Sequence, residues 1–228
     1  LCMLAEQLIK IPGLSLIQIN TDGVTVRCPR VHVEHFRAVC DWWQAFTRLE
    51  LEYADYSRMF VRDVNNYIAE RTDGKVKRKG AYEYHGVSDG ATDGLQWHQN
   101  HSARIVARAA EAALLDGDNI ETFVRTWPIE RDFYHLAKVP RNSRLVMTCT
   151  MEAGNKLDIP QQGISRYYIS NGGGQLVKIM PPLKGKTGER RMMIDAGWNA
   201  TVINRRQPLR DVNYAYYIAE ARKLVDPL

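Results

Sequence analysis

Asp22 is the acid in this chain best placed to do chemistry. It sits in Asn20-Thr-Asp-Gly23, between two apolar-alternating arms that span residues 14–27. Alternation of this kind around an Asp-Gly pair predicts a β-hairpin with the carboxylate at its tip. A carboxylate on a rigid tip is a hard oxygen ligand suited to Mg2+, which keeps most of its waters and takes few protein ligands. The same four residues also make an ordinary turn, so the rest of the chain must decide between the two.

Two further groups carry ligating side chains. His32 with His35, and His98 with His101, have a three-residue spacing that can put two imidazoles on one helical face. No further ligand follows either pair at zinc-like spacing, so they read as surface or cap histidines. Lys184-Gly-Lys-Thr-Gly188 shares letters with a phosphate loop but lacks its leading glycine spacing and its strand-then-helix setting. It reads as an exposed basic loop able to track a phosphate backbone.

Charge points the same way. The chain has 228 residues and a formal net charge of +5. Residues 1–90 hold 12 Lys/Arg and 12 Asp/Glu, while residues 91–228 hold 19 and 14 and so carry all the excess. Within 161–210 there are nine basic residues and two acidic ones, interleaved with tyrosines and glycines. A surplus of that kind on one face favours a polyanion, and with aromatics among it a nucleic acid.

These residues need elements to hold them. The apolar pattern predicts a helix over 1–10 stopped by Pro12-Gly13, the hairpin of Asp22, and a helix over 32–47 with Val33, Phe36, Val39, Cys40, Trp43 and Phe46 on one stripe. Strands are predicted at 49–54, 59–71 and 75–84, the last two joined at Thr72-Asp-Gly74. The stretch 86–95, rich in glycine and acid and without apolar period, predicts a break. Beyond it come helices over 102–115, ended by Gly117, and about 119–126, opened by a capping box of Asp118 and Glu121. Strands at 164–170 and 175–180 flank an expected turn at Asn171-Gly-Gly-Gly174, and a helix over 211–225 closes the chain. Tyr167 and Tyr168 alternate on a strand, so one should face the core and the other, with Arg166 and Ser170, a nucleic acid. Lys75-Val-Lys-Arg-Lys79 reads either as an edge strand guarded by lysine or as a phosphate-contacting strand.

Read in order, these motifs resemble family B DNA polymerases, bacteriophage members above all. Leu16-Ile-Gln-Ile-Asn-Thr-Asp-Gly-Val-Thr-Val26 is similar to the family's third polymerase motif, a hairpin usually bearing Asp-Thr-Asp-Ser. Val64-Asn-Asn-Tyr-Ile68 falls where the family has Lys-x-Tyr, and Gly74-Lys-Val-Lys-Arg-Lys-Gly-Ala-Tyr-Glu83 resembles the basic strand that follows. Residues 97–113, Arg166-Tyr-Tyr-Ile-Ser170 and Gly172-Gly-Gly-Gln-Leu-Val-Lys-Ile-Met-Pro-Pro182 look like the thumb. The resemblance implies an α+β chain: part of a polymerase palm over 1–92, an antiparallel sheet with helices, followed over 93–228 by a thumb of helices and β-hairpins.

By resemblance Asp22 matches the motif's second, essential aspartate and is the implied catalytic metal ligand, with Asn20 in place of the first. Two-metal nucleotidyl transfer uses one Mg2+ to activate the primer hydroxyl and one to grip the triphosphate. Asn65 stands where the family has lysine, and Tyr67 is retained. The implied DNA contacts are Asn65, Tyr67, Lys77, Lys79, Arg166, Tyr167, Tyr168, Ser170 and Lys178, with Lys75 also able to cover the missing lysine. The partner aspartate and the nucleotide-binding helix of the family precede this hairpin and are not among these residues. The expected partners are therefore primer-template DNA, deoxynucleoside triphosphates, and an upstream palm, fingers and exonuclease portion, in the same chain or a separate one.

No apolar run is long enough to span a bilayer, and the first residues lack the order of a secretion signal. Cys2, Cys28, Cys40 and Cys149 show no CxxC spacing, which favours a reducing compartment, the cytoplasm of a host cell if phage-encoded. Two other readings stay open. One is a non-catalytic nucleic-acid-binding module with a polymerase-like fold. The other is an unrelated basic α+β enzyme in which Asn20-Thr-Asp-Gly23 is only a turn.

Overall fold

The computed structural model describes residues 1–84, 102–152, 154–204 and 208–226. The chain divides into two compact units, Leu1–Gly80 and Ala81–Leu228. Among the described residues there are five α-helices and three antiparallel sheets, an α+β architecture. The expected break at 86–95 lies outside the described residues, as do His98 and His101.

In the first unit, helix α1 (Cys2–Leu8) leads into strands β1 (Ser15–Ile19) and β2 (Val24–Arg27), a two-stranded antiparallel hairpin. Helix α2 (Val33–Thr47) follows. Leu4, Leu8 and Ile11 bury against Cys40 and Trp43, with Leu14, Val24, Val26, Phe36 and Val39 packed around them. The apolar stripe expected on α2 is therefore its inner face, except at its end. Phe46 is 67 % exposed and stacks on Trp42, one helical turn back, at 5.9 Å between ring centroids.

A three-stranded meander completes this unit: β3 (Tyr56–Asp63), β4 (Asn66–Arg71) and β5 (Val76–Lys79). Three expectations change here. No strand forms over 49–54, because the end of α2 claims that backbone. Arg48 ends the helix in the left-handed conformation, Thr47 Oγ1 accepts the Leu49 N–H, and Gln44 Oε1 accepts the Leu51 N–H at 2.7 Å. The strand expected over 59–71 folds back on itself at Val64-Asn65. Asp63 Oδ1 accepts the Asn65 N–H at 2.9 Å and so makes an Asx turn where the polar Arg62-Asp-Val-Asn-Asn66 interrupts the strand. The strand expected over 75–84 stops at Lys79. Gly80 turns the chain with φ of 62°, and a side chain there would collide with the Asn65 carbonyl and the Asn66 amide.

The second unit is organised around β9 (Ile164–Met180), a strand of 17 residues. Its first half pairs with β6 (His135–Lys138) and β11 (Ala200–Ile203), and its second half with β7 (Arg144–Thr150) and β10 (Arg190–Met193). Strand β8 (Lys156–Gln161) pairs with β7 at the edge. The turn expected at 171–174 is absent, since the chain runs straight through the glycines. A side chain at Gly173 would stand 2.6 Å from the backbone of Asn199 and Ala200, and one at Gly174 would stand 2.7 Å from Met147 Sδ. These glycines serve close approach of neighbouring chain rather than reversal.

Helices α3 (Arg104–Glu111), α4 (Ile120–Thr126) and α5 (Tyr214–Val225) pack on the sheet. Ile105, Ala109, Val124, Tyr217, Ile218 and Ala221 meet Leu145, Met147, Ile169 and Leu176 in one core. Helix α3 runs on as a wider π turn over Ala112–Asp116, and Gly117 ends it in the left-handed conformation, as expected. The cap of α4 is Asn119, whose Oδ1 accepts the Thr122 N–H at 3.0 Å, rather than Asp118. Tyr217 pins the packing, since its hydroxyl donates to the Phe133 carbonyl at 2.8 Å and accepts the Ile169 N–H at 2.9 Å.

Candidate nucleic-acid interface

The hairpin holds Asp22 where the alternation placed it, exposed at the tip between β1 and β2. Neither Asp22 nor Gly23 has a positive φ, so the tip is not the tight two-residue turn that Asp-Gly usually makes. It is a four-residue loop closed by the Asn20 N–H, which donates to the Gly23 carbonyl at 3.0 Å. Asn20 Oδ1 accepts the Asp22 N–H at 3.0 Å. The neutral side chain at the departure from the motif therefore fixes the backbone of the acid beside it. Among the described residues no three His, Cys, Asp or Glu side chains gather into a group able to hold a metal. Asp22 offers one carboxylate, and the fit to Mg2+ rests on the hard oxygen of an exposed, backbone-fixed acid.

The hairpin is tied to the meander. Gln18 on β1 donates from Nε2 to the carbonyl of Val64, in the β3–β4 turn, at 2.9 Å. Asn65 is the next residue of that turn and is exposed. Asp63 holds the turn closed, and the hydrogen bonds from the Asn66 side chain and the Asn65 N–H keep its carboxyl below the usual range.

Register then decides which side chains share a face. Tyr67 lies opposite Lys79 and Ala69 opposite Lys77, so Tyr67, Lys77 and Lys79 stand on one side of the meander. Lys77 and Lys79 are exposed, but Tyr67 is only 6 % exposed. The Lys77 ammonium lies 5.9 Å from the Tyr67 ring centroid and 3.5 Å from the Tyr56 hydroxyl. Partial burial opposes its charge, yet the hydrogen bonds and partial charges of Tyr67 and Tyr56 hold it above its ordinary range. Tyr67 is thus a support beneath Lys77 and not itself a surface for DNA. Tyr56, absent from the sequence-based set, belongs to the same arrangement. Its only signal was an aromatic two residues before the basic Arg58, too weak to single it out.

In the second unit the expected contacts divide sharply. Arg166 is exposed between Leu136 on β6 and Ile203 on β11. Lys178 is half-buried between Leu145 on β7 and Met192 on β10. Neither carries an ion pair among the described residues, and Lys184 and Lys186 lie in an exposed loop, as expected.

Tyr167, Tyr168 and Ser170 are corrections. Both tyrosines are buried, because each face of this half of β9 is covered. On one face His135 stacks on Tyr167 at 5.1 Å, and the Tyr167 hydroxyl donates to the Asp195 carbonyl at 2.6 Å. On the other, the Tyr168 hydroxyl donates to the Arg210 carbonyl at 2.7 Å, and Ser170 Oγ pairs with Thr201 Oγ1 at 2.7 Å. Burial, with the nearby Tyr216 and Asp195, pushes the Tyr167 phenol well above its usual range. None of the three presents a group to a ligand.

Part of the basic surplus is also spent within the fold. Arg191 clamps Asp158 with bonds of 2.6 and 2.9 Å and reaches Thr148 Oγ1 at 2.9 Å. Its hydrogen bonds, with that of Thr148, pull the Asp158 carboxyl down to about 2. Arg144 holds Glu189 through two bonds of 2.7 and 2.8 Å. Arg104 and Arg108 meet the fully buried Asp132, at 2.5 and 3.2 Å, and Trp127 Nε1 donates to it at 2.9 Å. His32 and His35 sit at the start of α2, outside any metal-holding group of described residues. No helix among the described residues is long and apolar enough to cross a membrane. The sequence matches no family model and no curated protein.

Proposed function

We propose that this chain is the later palm and the thumb of a DNA-templated DNA polymerase, with Asp22 supplying one ligand to a two-metal site. The observation that carries the reading is the pairing, within one compact unit, of an exposed acid on a backbone-fixed hairpin with a meander face bearing Lys77 and Lys79. A metal-held triphosphate and a phosphate backbone need both kinds of group, an oxygen ligand for the cation and ammonium groups for the strand. The resemblance in motif order supplies the reaction. Asp22 would hold Mg2+, while Asn65 and the two lysines would meet the DNA backbone. Arg166, Lys178 and the loop of Lys184 and Lys186 grip the duplex from the second unit.

Mg2+, when bound, would stabilise charge on the triphosphate and activate the primer hydroxyl. The chain's own residues hold the acid in place through Asn20 and support Lys77 through Tyr67 and Tyr56. One carboxylate does not complete such a site, so the second must come from an upstream palm segment. The test supplies that segment and measures Mg2+-dependent primer extension. The expected outcome is extension that Asp22→Asn abolishes while duplex affinity stays unchanged. Extension that survives Asp22→Asn would remove this acid from the metal site.

A further inference from the structure

We infer that Gln18 is a positioning residue that locks the Asp22 hairpin to the Asn65 turn. This rests on the polymerase reading for its purpose, though not for its geometry. Strand β1 places its side chains against the usual economy: Leu16 and Ile17 are 39 % and 43 % exposed, whereas Gln18 is 6 % exposed. A bulge is the cause. Register runs Leu16 to Val26 and then Gln18 to Thr25, which leaves Ile17 as the extra residue and re-aims Gln18. Bulges recur where a strand must turn one particular side chain.

Burying an amide is costly unless its hydrogen bonds are made. Gln18 makes one, from Nε2 to the Val64 carbonyl at 2.9 Å, and its buried Oε1 has no partner among the described residues. The stabilisation this residue gives is therefore poor, and an apolar side chain would fill the space at lower cost. What the amide provides is direction. Its bond joins two hydrogen-bonded turns, the tip closed by Asn20 and Gly23 and the turn closed by Asp63, Asn65 and Asn66. Those turns carry the proposed metal ligand and the proposed phosphate donor, so one bond sets the offset between them.

The test uses the whole chain with Gln18→Met, which keeps length and removes the amide, and Gln18→Glu, which keeps shape and removes the donor. Amide hydrogen exchange, the melting temperature and the ratio of affinities for recessed and blunt duplexes are measured together. Gln18→Met is expected to speed exchange at least tenfold in both 20–23 and 64–66, to leave 68–71 unchanged, and to shift melting little. Gln18→Glu should give the same paired pattern. Faster exchange in only one turn, in neither, or evenly through the first unit would overturn the inference. If the paired pattern holds while the unaltered chain does not prefer recessed over blunt DNA, the lock stands and the polymerase reading fails. If the chain does prefer recessed DNA, the preference should fall severalfold in both variants.

Discussion

Asp22, Asn20 and Gln18 show how differently single residues reveal themselves. The acid at the hairpin tip was legible from alternation around Asp-Gly, which is a local signal. Gln18 was not, because its burial depends on a bulge at Ile17 and on a turn 46 residues away. Tyr167 and Tyr168 misled for a related reason: alternation predicts one inward and one outward face only when one side of the strand is open. Here Tyr216 and Tyr217 pack against His135, the cross-strand neighbour of Tyr167, on one face, and the backbone of Arg210 meets Tyr168 on the other.

His135 makes a prediction of its own. It is buried beside Tyr167, Tyr216 and Tyr217, its Nε2 has no partner among the described residues, and burial pulls its pKa from 6.5 down to about 4. The unfolded chain therefore takes up a proton at a pH where the folded chain does not. This contribution to stability is complete above about 6.5 and is lost as pH falls from there toward 4, by on the order of 3 kcal/mol in total. Urea unfolding at a series of pH values measures it, and His135→Phe should flatten the curve by about one proton between those limits.

At the scale of elements, the helices were the most legible because their apolar stripes repeat over several turns. Helices α1, α2 and α5 lie where the apolar pattern put them, and α4 where its capping box put it, with ends corrected by single caps such as Asn119 and Asn213. Strands were harder to read. The β3–β4 reversal depends on the hydrogen bonds that Asp63 accepts from Asn65 and Asn66, and the unbroken course of β9 depends on what lies beside its glycines. Glycine runs signal either a reversal or a close approach, and sequence does not separate them.

The structure orders the consequences at β9. Gly173→Ala sets a methyl group against fixed backbone, whereas Gly174→Ala meets first a flexible Met147 thioether. Gly173→Ala should cost about 2–3 kcal/mol in urea unfolding and Gly174→Ala less. On the meander, Lys77→Gln and Lys79→Gln should each lower the slope of log affinity against log salt by about 1, equally for every DNA sequence. A slope unchanged in both would take this face out of the interface.

Across the whole molecule, charge was legible as a surplus but not as a surface. The excess in the second half is real, yet Arg191 and Arg144 are committed to Asp158 and Glu189, and Arg104 and Arg108 to Asp132. Arg166, Lys178, Lys184 and Lys186 are among the exposed or half-buried cations in no ion pair between described residues, and the proposed grip on a polyanion uses them. Arg166 and Lys178 lie twelve residues apart on one strand, up to about 40 Å if it were straight.

Binding to DNA of different ends tests this most directly. Fluorescence anisotropy of the chain with a recessed-3′ primer-template, a blunt duplex and a single strand, each titrated across salt, is expected to show steeply salt-dependent binding that prefers the recessed junction. Equal affinity for all three, or no binding at low salt, would contradict a polymerase palm and thumb.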